Sequence, residues 1–142
     1  MSKRVLVLCT GNWARSQMAE GFLRSFDTNL DVFSAGTHPA EKVNPFAVKV
    51  MKEVGIDLSN RRPKKVGEFL NQSFDYVITV CYNAKETCPV FVGRVKHRVH
   101  LSFEDPAEAR GTDDEVIRVF RRVRDEIRKV FDQFYSQTIT QE

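Results

Sequence analysis

Val5-Leu6-Val7-Leu8-Cys9-Thr10-Gly11-Asn12-Trp13-Ala14-Arg15-Ser16 runs from an apolar stretch through a short polar loop to the start of a helix. Val5–Leu8 reads as a buried strand of a parallel sheet. Downstream, Met18, Phe22 and Leu23 recur at helical spacing. Cys9 therefore falls between a strand end and a helix start, where backbone N–H groups attract anions and favour a thiolate. A curled loop brings Arg15 over the same pocket. Gly11 permits a tight turn, Asn12 tolerates a left-handed backbone, and Ser16 offers a hydroxyl to the sulfur. A cysteine that merely fills a core needs none of these neighbours. The octet Cys9–Ser16 reads as a thiolate nucleophile facing a tetrahedral oxyanion.

The chain around it has 142 residues, enough for one domain with a full core. Its 42% hydrophobic and 29% charged content is that of an ordinary globule. No apolar run reaches membrane-spanning length, and Met1-Ser2-Lys3-Arg4 leads straight into a strand rather than a signal peptide. The expected location is the cytoplasm, with no membrane partner. A net charge of +3 suits a small anion better than a nucleic-acid track. The cysteines are Cys9, Cys81 and Cys88. An odd count argues against a disulfide framework, and no histidine stands at zinc-ligand spacing from Cys81 or Cys88. Nucleophilic or redox use is the better inference, with no metal.

Further strands are expected at Asp31–Ser34, Phe74–Val80 and Arg98–Leu101, the last weaker and at an edge. Helices are expected up to about Phe26, from Asn44-Pro45 to Gly55, briefly near Val66–Asn71, and after Thr112, which with Glu115 forms a capping box. Val116, Phe120, Val123, Ile127, Val130, Phe131 and Phe134 make one apolar stripe, with Arg118, Arg121, Arg122, Arg124, Arg128 and Lys129 mostly facing solvent. His38, His97 and His100 read as ordinary histidines, and Arg61-Arg62-Pro63-Lys64-Lys65 as a solvated basic loop, with the alternative that it borders the active site and helps draw in anions. Residues 1–135 form the domain, and 136–142 a polar, flexible tail.

Alternating strands and helices imply an α/β class with a four-stranded parallel, doubly wound sheet flanked by helices. Such sheets bind ligands beyond the carboxyl ends of their strands. Cys9, Cys81 and Asp105 each follow a strand, so all three fall on that edge.

These residues resemble the low-molecular-weight protein tyrosine phosphatase superfamily, and more closely its thioredoxin-coupled arsenate reductases. The resemblance rests on Cys9–Asn12 with Arg15–Glu20, Ser34-Ala35-Gly36, Thr79-Val80-Cys81, Cys88-Pro89 and Asp105-Pro106. The loop motif identifies the superfamily, and its combination with Cys81 and Cys88 points to the reductases. Ala14 replaces the second loop cysteine typical of the phosphatases, and Ala107-Glu108 replaces their tyrosines.

The resemblance implies that Thr10, Gly11, Asn12, Trp13, Ala14, Arg15 and Ser16 bind arsenate, with phosphate or sulfate as analogues. Cys9 attacks arsenic and Asp105 protonates the departing oxygen. Cys81 then resolves Cys9, Cys88 resolves Cys81, and thioredoxin reduces the last disulfide. No bound cofactor is implied. Some members hold potassium on residues matching Asn12, Glu20 and Ser34 plus an aspartate. Here Lys64 and Lys65 stand in that segment, so a potassium site is doubtful and a lysine ammonium could replace the ion. Two other functions remain open: an aryl or tyrosyl phosphatase with a Cys81–Cys88 redox switch, and a non-catalytic anion or redox sensor.

Overall fold

The computed structural model describes residues 2–82 and 90–141. Four strands, β1 (Arg4–Cys9), β2 (Asp31–Gly36), β3 (Ser73–Thr79) and β4 (Arg94–His100), pair in the order β2-β1-β3-β4. Every pairing is parallel. The helices are α1 (Arg15–Phe26), α2 (Pro45–Lys52) and α3 (Asp113–Gln137), with 3-10 turns at Val66–Phe69, Pro106–Glu108 and Ile139–Gln141.

Alternation along β1 assigns its side chains to two cores. Val5, Val7 and Cys9 join Met18 and Phe22 of α1, Val50 and Met51 of α2, and Phe120, Val123, Ile127 and Phe131 of α3. Leu6 and Leu8 face the opposite side, against Phe69, Phe74, Val77 and Phe91. The α-helices thus cover one face, while the Val66–Phe69 turn and Phe91 cover the other. Phe120 is fully buried, so its replacement by alanine costs about 3–5 kcal/mol.

The helix starts form as their caps dictate. The Asn44 side chain accepts from Phe46 N ahead of Pro45, and Thr112 and Glu115 form the reciprocal capping box of α3. Gly55, at φ 82°, follows α2 in the left-handed conformation that glycine favours.

Some boundaries differ from expectation. β4 begins at Arg94 rather than Arg98, because an edge strand pairs on one side only and keeps its basic side chains exposed. Of the segment 136–142, expected as a flexible tail, the described residues 136–141 carry α3 through Gln137 and then bury Ile139. Lys3 Nζ donates to the Ile139 carbonyl, closing this end against the amino edge of the sheet. Arg124, expected in solvent, is buried beside α2, where it bonds the Val50 carbonyl and Glu53.

Candidate functional site

Cys9 is the last residue of β1 and α1 begins at Arg15, so the loop is residues 10–14. The carbonyls of Thr10, Gly11 and Trp13 accept from His38, Ala40 and Asn44 N at 2.9, 3.0 and 2.9 Å. In a trans peptide the next N–H points the opposite way. The N–H groups of Gly11, Asn12 and Ala14 therefore face the concave side. Asn12 N donates to Cys9 Sγ at 3.2 Å, as this alternation requires. Asn12 holds φ 48°, a turn that asparagine tolerates and most residues do not.

The sulfur is 2.9 Å from Ser16 Oγ. Arg15 is 4% exposed, donates to the Phe103 carbonyl at 3.1 Å and lies 3.7 Å from the Asp105 carboxylate. Asp105 caps the 3-10 turn that follows it by accepting from Ala107 N at 3.0 Å. Cys81 lies just past β3, and the Val80 N–H bonds the Leu8 carbonyl immediately before Cys9. The chains carrying Cys9 and Cys81 therefore run side by side at the sheet centre. Both cysteines are buried. Trp13 is half-exposed, on the loop. Cys88 lies outside the described residues. The structure thus gathers Cys9, Arg15, Ser16 and Asp105 around one concave loop, with Cys81 on the neighbouring strand end.

A family model for the low molecular weight phosphotyrosine protein phosphatases matches residues 4–142. The chain belongs to that family. Within it, the chain is 50% identical over 131 residues to a protein of Halalkalibacterium halodurans named arsenate reductase, covering 91% of this chain and 93% of the relative. A Bacillus subtilis protein of the same name is 46% identical over 127 residues, covering 89% of this chain and 90% of its own. A solved arsenate reductase in its phosphate-binding state superposes with a TM-score of 0.78 at 30% identity, over 95% of this chain and 98% of that one.

Asn12, Glu20 and Ser34, which the resemblance links to a potassium site, are bonded to protein partners here. Glu20 is buried, and one carboxylate oxygen accepts from Ser34 Oγ at 2.6 Å. The other is held by Arg24 at 2.9 Å and Arg61 at 3.3 Å. Asn12 Oδ1 already accepts from Gln17 Nε2 and Lys64 N. Arg24 and Arg61 thus pair directly with Glu20, while the Lys64 ammonium donates to the Arg62 carbonyl and acts on Glu20 through its charge. Burial holds the Lys64 ammonium below its ordinary pKa. Among the described residues no cluster of three His, Cys, Asp or Glu side chains could hold a metal.

Sequence reasoning passed over Gln17 and the Phe103 carbonyl as site members, and named Arg61 only as part of a basic loop that could border the site. Gln17 was visible only as one letter of a motif, and its partners lie at Asn12 and Arg62. Arg61 sits in a basic run that carries no periodic signal.

Proposed function

We propose that this chain reduces arsenate to arsenite through a cascade of its cysteines, regenerated by thioredoxin, as part of arsenic detoxification. The supporting observation is the placement of two buried cysteines at one sheet edge, Cys9 in an N–H-lined loop and Cys81 on the adjoining strand end.

Arsenate docks in loop 10–16, its charge met by inward N–H groups and the Arg15 guanidinium. The Cys9 thiolate attacks arsenic, and Asp105 gives its proton to the departing oxygen. Cys81 then attacks the Cys9 sulfur. The S–As electron pair stays on arsenic, which leaves as arsenite, and a Cys9–Cys81 disulfide remains. Cys88 attacks Cys81, frees Cys9 and forms Cys81–Cys88. A thioredoxin dithiol supplies the two electrons that restore the starting state. The cascade starts from reduced thiols, which a reducing cytoplasm would maintain.

A coupled assay with thioredoxin, thioredoxin reductase and NADPH tests the reading. Arsenate-dependent NADPH oxidation is the expected result. Its absence, with aryl phosphate still turned over, would favour the phosphatase alternative, supported by the same Cys9, Arg15 and Asp105. Weak aryl phosphatase activity beside arsenate reduction is compatible with the proposal, because the loop and its acid suit both anions.

A further inference from the structure

We propose that Gln17 is a positioning residue for the Cys9 thiolate: its side-chain N–H holds the Asn12 amide in the orientation that sends the Ser16 proton to sulfur. The proposal rests on Cys9 being the nucleophile.

The argument follows protons outward from the sulfur. Ser16 Oγ is 2.9 Å from Cys9 Sγ, and its hydroxyl carries a single hydrogen. Asn12 Nδ2 lies 2.8 Å from that same oxygen and can only donate. The Ser16 oxygen therefore accepts from Asn12, and its hydrogen is left for the sulfur. Rotating the Asn12 amide would put Oδ1 against Ser16 and draw the hydrogen away from Cys9. Two donors oppose that rotation at Asn12 Oδ1: Gln17 Nε2 at 3.1 Å and Lys64 N at 2.9 Å.

Gln17 is itself held one way round. Its Nε2 faces Asn12 Oδ1, the Asn12 carbonyl at 3.3 Å and the Arg62 carbonyl at 3.1 Å. A flipped amide would set its own oxygen against three oxygens. In the observed orientation Gln17 Oε1 is buried with no hydrogen-bond partner among the described residues. An orphaned buried carbonyl is costly, so an apolar side chain of the same length would pack there at less expense. The position is explained by what the amide donates rather than by what it buries. Gln17 hydrogen-bonds Asn12 and Arg62 and not the sulfur, so its effect passes through Asn12 and Ser16.

The test measures the pH profile of Cys9 alkylation by iodoacetamide, read on the Cys9 peptide by mass spectrometry. The parent is compared with Gln17→Met, which keeps the length and removes the donor. The expected result is a shift of the Gln17→Met profile to the alkaline side by about half a pH unit, with the melting temperature within about 4 °C of the parent. A superimposable pair of profiles overturns the proposal and leaves the nucleophile reading intact. A parent profile like that of a free thiol overturns both. Should Gln17→Met not fold, NMR of the parent replaces it. The side-chain amide signals of Asn12 and Gln17 are expected to shift together as Cys9 titrates, and a Gln17 signal indifferent to that titration overturns the proposal.

Discussion

The Arg15 guanidinium lies 3.7 Å from the Asp105 carboxylate, although one residue opens α1 and the other follows β4. The same carboxyl caps the Pro106–Glu108 turn. Its two jobs can be separated, because asparagine also caps while it cannot give up a proton. Asp105→Asn should keep the melting temperature and lower the rate of arsenite formation by about a hundredfold. Single-turnover arsenite release, with phosphate inhibition as the measure of anion binding, checks this. An unchanged rate would remove Asp105 from the proton step.

Gly36 is where the anion loop touches β2. A Cβ at this position would come within 2.9 Å of Asn12 N and 3.0 Å of the Cys9 carbonyl, and would also collide with the Thr10 carbonyl. Those atoms are backbone and cannot swing aside. Gly36→Ala should lower stability by about 1–3 kcal/mol and displace the inward N–H groups. A thermal melt and the coupled assay should fall together. Parent-like activity would show that the loop tolerates the displacement.

Arg61 and Arg24 meet the buried Glu20 carboxylate from its own chain. Potassium at fixed ionic strength should therefore leave the melting temperature equal to that in sodium. Arg61→Ala should destabilise by about 1–3 kcal/mol, since the carboxylate stays buried with one fewer donor. A clear rise of the parent's melting temperature in potassium over sodium would contradict this account of Glu20.

Glu53 joins α2 to α3 through Arg121 and Arg124. Hydrogen bonding to Arg121, then to Arg124, lowers its pKa from an ordinary 4.5 to about 2. A lowered carboxyl pKa stabilises the fold above the unfolded-state value and is lost as pH falls through the folded-state value. The parent should therefore melt above Glu53→Gln at neutral pH, and the gap should close between about pH 4.5 and 2. Because the group is largely solvated, the gap should be modest and shrink with salt. A gap independent of pH would mean that the ion pairs contribute nothing.

The sheet and its functional edge could be read from sequence because their signals are local. Val5–Leu8 and Phe74–Val80 are apolar runs, and Cys9, Cys81 and Asp105 lie at or just beyond the carboxyl ends of strands. The Thr112–Glu115 capping box spans four residues and formed as expected. What could not be read depends on contacts between distant segments. Gln17 orients Asn12 only because Arg62 and Lys64 close over both. Arg124 looked solvent-facing until α2 supplied Glu53 and the Val50 carbonyl. Ile139, alone in a polar stretch, shows no periodicity, yet it is buried and its carbonyl accepts from Lys3.

The order of the thiols distinguishes this account from a phosphatase or a sensor. Cys9 must act first, Cys81 must resolve it, and Cys88 must act last. The decisive measurement is arsenite released per enzyme by Cys88→Ser without thioredoxin, with disulfides mapped by peptide mass spectrometry. The expected result is one arsenite per chain and a trapped Cys9–Cys81 disulfide, beside Cys81→Ser and Cys9→Ser releasing none. Multiple turnovers by Cys81→Ser, or normal thioredoxin-coupled turnover by Cys88→Ser, would contradict the cascade.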